Sequence, residues 1–217
     1  MIYPGSSPDI IEWLLPLMKP YLDKASTYYE PFVGGGNTIC KVPHPVRIGS
    51  DSNKYLIALL RQVQEDVTVI PATISEEMYQ NVRQYASVYE PWLVGLVAFC
   101  ASYEGIFWGK YTGEKSTFEL LDNLRKQAPL LKGVKFMCLD YTRINFSKMH
   151  GTTLFFCDFP CYDKGFFGFE PFFEWCKLAV HSGHMVLYLG NWAPSFFVEL
   201  GSVQQGGELR FLYAYKN

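Results

Sequence analysis

The stretch STYYEPFVGGGNTI, residues 26–39, decides the fold. A short run of aromatic and β-branched residues, typical of a strand, breaks here into three consecutive glycines. VRIGSD, residues 46–51, then indicates a second strand that ends in an acid, and NKYLIALLRQVQ, residues 53–64, has the apolar spacing of a helix. This order is typical of the opening of a doubly wound α/β sheet.

The later sequence continues the same sheet after an interruption. Residues 67–131 are predicted to form an inserted helical lobe with an aromatic loop punctuated by glycines. Strand and helix patterns then resume, and the tail predicts a closing β-hairpin around residues 205–207. The predicted segments are VKFMCLD (134–140), TLFFCD (153–158), FEPFFEWCKLAVHSG (169–183) and HMVLYLG (184–190). We therefore expect one domain made of residues 1–66 and 132–217, with residues 67–131 inserted.

The composition favours a globular protein and argues against a disordered or membrane-spanning one. The chain has 217 residues, of which 49% are hydrophobic and 17% aromatic, which favours a compact globular protein over disorder. A net charge of -2 gives no global basic signal, so a nucleic-acid surface would have to be local. No signal peptide is visible, and the apolar run at 92–101 is too short to cross a bilayer. We expect no membrane partner, a cytoplasmic location and reduced, buried cysteines.

Two strand ends carry candidate chemistry. The glycines at 34–36 permit close backbone approach to a ligand, and Asp51 follows the next strand, where an acid commonly binds ribose hydroxyls. The pair favours a nucleoside-containing cofactor, with an ordinary glycine-rich turn as the alternative. Asp158 ends the strand in FFCDFPCYDK, residues 155–164. It is either a ligand-binding acid beside aromatic residues, suited to a planar base, or a cap of the following helix.

These motifs together resemble a known family. YYEPFVGGGNTI is similar to the cofactor motif EPFxGxG of the Dam-like, D12-class DNA adenine-N6 methyltransferases, particularly the short phage-type members. SDSNKYLIALL is similar to the family's second strand end, and FCDFPCYDKG falls where the family has its catalytic CDPPY motif. The resemblance implies a Rossmann-like methyltransferase fold in which residues 67–131 form an inserted target-recognition lobe. It also implies methyl transfer from S-adenosyl-L-methionine to adenine in DNA, in a bacterial host's cytoplasm if the chain is phage-encoded.

The resemblance also implies roles for individual residues. Asp158 and the carbonyl of Phe159 would accept hydrogen bonds from the amine of a flipped-out adenine. The implied catalytic residues are Asp158, Phe159, Pro160 and Tyr162. The implied cofactor-binding residues are Tyr3, Gly5, Ser6, Glu30, Pro31, Phe32, Gly34, Gly36, Asp51, Asn53, Asp140, Tyr141 and Asp158. The implied DNA-binding residues are Ser102, Tyr103, Lys110 and Tyr111. No metal is needed for this chemistry.

The sequence departs from the family at ligand-facing positions. DPPY is replaced by Asp158-Phe159-Pro160-Cys161, so a cysteine stands where the family has the aromatic that stacks on the base, and Tyr162 comes one place late. A lysine near the N-terminus, an arginine in the recognition loop and a Ser-Glu-Tyr element are also missing. The alternative hypothesis is therefore a homologue that binds cofactor, DNA or a protein partner without methylating adenine. Transfer of a group to a different acceptor is a third possibility.

His181 and His184 have the spacing HxxH, but no third ligand lies nearby in the sequence, so we expect surface or turn histidines rather than a metal site.

Overall fold

Seven strands form the centre of the molecule. The computed structural model describes residues 10–159, 169–205 and 207–216. The strands are β1 (Thr27–Glu30), β2 (Arg47–Asp51), β3 (Val134–Cys138), β4 (Thr153–Cys157), β5 (Met185–Gly190), β6 (Phe197–Gln205) and β7 (Glu208–Tyr215). They make one sheet in the order β3-β2-β1-β4-β5-β7-β6.

Six α-helices accompany these strands in the described part of the chain. They are α1 (Ile11–Leu22), α2 (Lys54–Glu65), α3 (Glu76–Gln84), α4 (Pro91–Cys100), α5 (Glu114–Gln127) and α6 (Phe169–His181). Two of them begin at capping residues that the sequence supplies. Asn53 accepts hydrogen bonds from the backbone N–H groups of Tyr55 and Leu56, and Ser75 accepts one from Met78.

The strand order creates a switch point in the middle of the sheet. β1 to β5 pair in parallel, whereas β7 is antiparallel to both β5 and β6. The chain proceeds outward from β1 through β2 to β3 and then returns to the other side of β1 as β4. Open α/β sheets bind ligands beyond the carboxyl ends of their strands at such a point. The predicted α/β, Rossmann-like methyltransferase fold is confirmed, and the predicted closing hairpin is β6–β7.

β4 lies at the centre of the sheet because both of its faces are apolar. All five residues of TLFFC are buried, as expected of a strand covered on both sides. Tyr28, Leu154 and Phe156 belong to the core on one face, together with side chains of α1, α2, α4 and α5. Tyr29 and Phe155 belong to the core on the other face, beneath α6. The first polar residue after β4 is Asp158, which places its carboxyl group at the switch point.

The middle segment is helical, as predicted, and is packed tightly on the rest of the chain. A Cβ atom on Gly95 of α4 would lie 2.3 Å from the carbonyl oxygen of Tyr55 in α2. Only glycine permits this approach. Leu121 and Leu124 of α5 share a core with Leu56. Whether residues 67–131 form a separate lobe stays a prediction.

Two sequence expectations are corrected here. His184 is only 6% exposed, not a surface residue. Its ring lies 5.7 Å from the Phe155 ring, and its Nδ1 accepts a hydrogen bond from the backbone N–H of Thr153 at 3.3 Å. Cys138 is exposed, while the other four described cysteines are buried, and all five are free thiols. Among the described residues, no helix has the length and apolar character needed to span a membrane.

Candidate functional site at the carboxyl edge of the sheet

The glycine loop follows β1 at the switch point. Gly34 and Gly36 have φ angles of 48° and 69°, a region that favours glycine. The loop begins with a hydrogen bond from the Val33 N–H to the Ser50 carbonyl at 2.9 Å, which keeps it against β2. On the opposite side, Nε2 of Gln127 donates to the Gly35 carbonyl at 2.9 Å. The loop is therefore held from two directions.

Asp51 lies beside this loop, at the end of β2. Its carboxylate accepts a hydrogen bond from the Asn53 N–H at 2.9 Å. Burial raises the pKa of Asp51, while the backbone N–H groups of Asn53, Gly34 and Ser52 act in the opposite direction. The acid is thus coupled to the glycine loop and to the start of α2. The Asn53 side chain is already used as the cap of α2.

Glu30 is the buried acid of the site. It is 3% exposed and accepts a hydrogen bond from the Tyr28 hydroxyl at 2.7 Å. Burial raises its pKa to about 8; the Tyr28 hydrogen bond and the Arg47 charge lower it, and the negative charge of Asp158 raises it further. Glu30 is therefore protonated at neutral pH. Pro31, which follows it, is also buried.

Asp158 is paired with an arginine from the hairpin. Nη2 of Arg210 donates to Oδ1 of Asp158 at 2.7 Å and to the Leu189 carbonyl at 3.1 Å. The side chains of Arg210 and Asp158 are 13% and 32% exposed, so the pair is partly buried. Burial raises the pKa of Asp158, and the charge and hydrogen bond of Arg210 oppose that rise.

Aromatic side chains line the same edge on the α6 face. The Phe32 ring lies 5.0 Å from Tyr141 and 5.1 Å from Phe159, measured between centroids. Phe159 also stacks on Phe172 of α6 at 4.6 Å. Three residues assigned to the site from sequence therefore form one cluster. Asp140, in contrast, is exposed and accepts hydrogen bonds from the N–H and hydroxyl of Thr142.

The predicted DNA-binding residues flank the loop of residues 102–111. Ser102 and Tyr111 form a β-bridge that closes the loop. Ser102 is buried, and the Tyr111 hydroxyl donates to the Ile74 carbonyl at 2.6 Å. Tyr103 is 58% exposed, and Lys110 is also exposed. Two of the four residues thus hold the loop, and two present their side chains to solvent.

Some predicted site residues lie outside the described part of the chain. They are Tyr3, Gly5 and Ser6 near the N-terminus, and Pro160 and Tyr162 after the catalytic strand. Cys161 lies outside it as well. Within residues 10–159, 169–205 and 207–216, no group of three or more His, Cys, Asp or Glu side chains is arranged to hold a metal ion.

Sequence reasoning missed Arg210 and Gln127. In ELRFLYAY, Arg210 shares a strand face with the buried Leu212 and Ala214. A cation on the inward face of an apolar strand is a signal that it has a buried partner. Gln127, 6% exposed at the end of α5, gave no comparable signal, because its partner is a backbone carbonyl 92 residues away.

The donor set fits a nucleoside-containing ligand. Asp51 supplies a carboxylate for hydroxyl groups, the glycine loop supplies backbone at close approach, and Phe32 and Tyr141 supply flat apolar surface. Asp158 lies across the switch point from this group, after the adjacent strand. One edge of the sheet thus combines a nucleoside-type site and a separate acid.

Comparison with known families agrees with this geometry. Residues 3–91 match the D12 class N6 adenine-specific DNA methyltransferase family, which confirms the resemblance inferred from sequence. The matched range contains β1, the glycine loop, β2 and Asp51, and ends before the strand that carries Asp158. No curated protein gave a significant match.

Proposed function

We propose that the protein is an S-adenosyl-L-methionine-dependent DNA methyltransferase that acts on the N6 amine of adenine. One observation carries the proposal. The family's cofactor motif, with Gly34, Gly36 and Asp51, and the acid Asp158 flank the same switch point of the sheet. A methyl donor and an acceptor base must meet within bonding distance, and adjacent strand ends supply that proximity.

The cofactor is assigned to the side of β1 and β2. Asp51 would hold the ribose hydroxyls, and the glycine loop would lie against the methionine portion together with Phe32. Tyr141 packs on Phe32 and would add to the apolar wall. S-adenosyl-L-methionine supplies an electrophilic sulfonium methyl group. Tyr3, Gly5, Ser6, Glu30, Pro31, Asn53 and Asp140 are assigned to this site by resemblance.

Asp158 is assigned to the acceptor. The lone pair of an aromatic amine is delocalised into the ring, so the amine is a poor nucleophile. Hydrogen bonds from its two N–H groups to the Asp158 carboxylate and the Phe159 carbonyl would localise that lone pair on nitrogen. Positioning and electrostatics then supply the rate. The base must leave the duplex to reach this edge, at a cost of roughly a few kcal/mol.

Residues outside the described structure complete this assignment. Pro160 and Tyr162 are proposed to contact the flipped base, by resemblance. Among the predicted DNA-contacting residues, Tyr103 and Lys110 support the proposal best because they are exposed on the loop. Ser102 and Tyr111 would act by holding that loop in place.

The direct test is methyl transfer from isotopically labelled S-adenosyl-L-methionine to adenine-containing DNA, both duplex and single-stranded. Mass spectrometry of the digested DNA should reveal labelled N6-methyladenine. Asp158→Ala should abolish the product even at a saturating concentration of S-adenosyl-L-methionine. Asp23→Asn, at an exposed ion pair with Lys19, should retain it.

The alternative is a homologue that binds cofactor, DNA or a protein without methylating adenine. The replacement of the motif's aromatic by Cys161 favours it. Cofactor binding by a wild-type protein that makes no N6-methyladenine on either form of DNA would replace the proposed function with this alternative.

A further inference from the structure

We propose that Arg210 is a positioning residue for methyl transfer: it orients the Asp158 carboxylate and keeps it charged for the acceptor amine. This inference rests on the proposed function, since it concerns the same acid. It adds a residue from the C-terminal hairpin to a site otherwise formed by β1, β2 and β4.

The strand directions place Arg210 at the ligand edge. β7 runs antiparallel to β5, so the start of β7, rather than its end, lies beside the carboxyl ends of the parallel strands. Arg210 is the third residue of β7. Leu212 is opposite Leu189 on β5, and Arg210 precedes it on the same strand face. Its guanidinium therefore reaches back over the end of β5 toward Asp158.

Two contacts fix the direction of the guanidinium. The same nitrogen, Nη2, donates to the Asp158 carboxylate at 2.7 Å and to the Leu189 carbonyl at 3.1 Å. The Leu189 carbonyl belongs to a buried strand in the core, so it provides a rigid reference for the arginine. Arg210 donates to Oδ1 of Asp158, so this proposal assigns the acceptor amine to Oδ2.

Arg210 supplies positive charge to Asp158, whereas three other groups that act electrostatically with this carboxylate are acids. Tyr28, Glu30 and Cys157 would each repel the carboxylate if ionised. Burial raises the pKa of Glu30 to about 8 and the pKa of Cys157 well above its usual value, so both are neutral near pH 7. Arg47 lies near Glu30 but is bound to backbone carbonyls, including that of Ile39 at 2.9 Å.

Arg210 is thus the cation that hydrogen bonds to Asp158 in the described part of the chain. A partly buried carboxyl group without such a partner takes up a proton more readily. A protonated Asp158 is a weaker hydrogen-bond acceptor than the carboxylate, so it would do less to localise the lone pair of the amine on nitrogen. Loss of the arginine should therefore act first at low pH.

The test compares Arg210→Gln with Arg210→Lys. Glutamine keeps a hydrogen-bond donor without the charge, and lysine keeps the charge without the planar fork. The first readout is carbon NMR titration of the Asp158 carboxyl group, assigned with Asp158→Asn. In Arg210→Gln, the Asp158 pKa should rise by about one unit or more, and lysine should recover at least half of that shift.

The second readout is the pH profile of methyl transfer. In Arg210→Gln, the pH below which activity is lost should rise together with the Asp158 pKa. At a pH on the acid side of the wild-type profile, activity should therefore fall about tenfold for each unit by which the pKa rises. Arg83→Gln, on the exposed face of α3, is the matched control and should leave both readouts unchanged. If Arg210 had only a structural role, Arg210→Gln would lower the rate at every pH without shifting the acid side of the pH profile.

The outcomes separate the two proposals. An Asp158 pKa in Arg210→Gln equal to that of the wild type would overturn the role of Arg210. If the wild type makes no N6-methyladenine while the NMR shift occurs as expected, the proposed function fails and the control of Asp158 by Arg210 stands.

Discussion

Gln127 of α5 donates from Nε2 to the carbonyl oxygen of Gly35 at 2.9 Å, and this bond ties the middle segment of the chain to the glycine loop. The same nitrogen lies 3.4 Å from Oδ1 of Asn37. A buried amide in this place stabilises a loop of three consecutive glycines, which lose more conformational freedom on folding than other residues do. The middle segment therefore supports the glycine loop, to which the proposed function assigns the cofactor.

Replacing Gln127 should loosen the glycine loop. Gln127→Leu leaves the Gly35 carbonyl without this donor, so we expect a loss of about 1–3 kcal/mol in the free energy of unfolding. We also expect weaker binding of S-adenosyl-L-methionine. Urea denaturation and calorimetric titration measure the two effects.

Gln64→Leu is the matched control for this change. Gln64 donates to the carbonyls of Leu131 and Val134 rather than to a carbonyl of the glycine loop. The Gln64→Leu variant should be less stable than the wild type and should bind S-adenosyl-L-methionine with unchanged affinity. Equal cofactor affinities in the Gln127 variant and the wild type would show that the loop does not depend on α5.

Glu30 predicts a pH dependence of stability. Its pKa is 4.5 as an unperturbed carboxyl group and about 8 in the folded protein, so between these pH values the native state binds a proton that the unfolded state has released. Its contribution is fully present below pH 4.5 and is lost as the pH rises through about 8. The expected loss over that range is roughly 3–5 kcal/mol.

Glu30→Gln should remove this dependence. Glutamine stays neutral and retains an oxygen that accepts the Tyr28 hydroxyl. Unfolding by urea at a series of pH values should give a flatter profile than the wild type. Parallel profiles for the two proteins would mean that Glu30 is ionised in the native state at neutral pH.

Variants of Tyr103 and Tyr111 distinguish contact with DNA from support of the loop of residues 102–111. Tyr103→Ala removes an exposed ring, so DNA affinity should fall with little change in stability. Tyr111→Phe removes the hydrogen bond to the Ile74 carbonyl and should cost about 1 kcal/mol of stability. Fluorescence anisotropy and thermal unfolding, run on both variants, distinguish the roles. If Tyr103→Ala bound DNA as tightly as the wild type, the DNA interface would not include the exposed side of this loop.

Replacing Cys161 with tyrosine should increase the rate of methyl transfer. In Cys161→Tyr the fourth residue of the motif regains the aromatic ring that the family uses for stacking. Base stacking on an aromatic side chain is worth about 1–3 kcal/mol, so kcat/KM for methyl transfer should rise at least about fivefold. Cys161→Leu adds bulk without a π face and serves as the control. A tyrosine variant no faster than the leucine variant would argue that the base is held in another way.

The sequence predicted the parts of the site that lie along the chain. The glycine loop, Asp51 and Asp158 were identified because each lies at or just after the end of a predicted strand, and strand ends meet at one edge of a parallel sheet. The contacts of Arg210 and Gln127 were not predictable in the same way. They join residues 52 and 92 positions apart, and such pairing depends on the register of the folded sheet and on helix packing. Burial of Ser102 and His184 likewise depends on tertiary neighbours rather than on local pattern.

Cofactor binding can be measured by calorimetric titration of the purified protein with S-adenosyl-L-methionine and with its demethylated product. We predict saturable binding of both ligands, weakened at least about tenfold in Asp51→Ala because a charge-assisted hydrogen bond contributes about 1.5–3 kcal/mol. Asp66→Asn, at the far end of α2, should bind as the wild type does. Absence of binding at millimolar ligand would contradict the account, and the glycine loop would then be a scaffold without a cofactor.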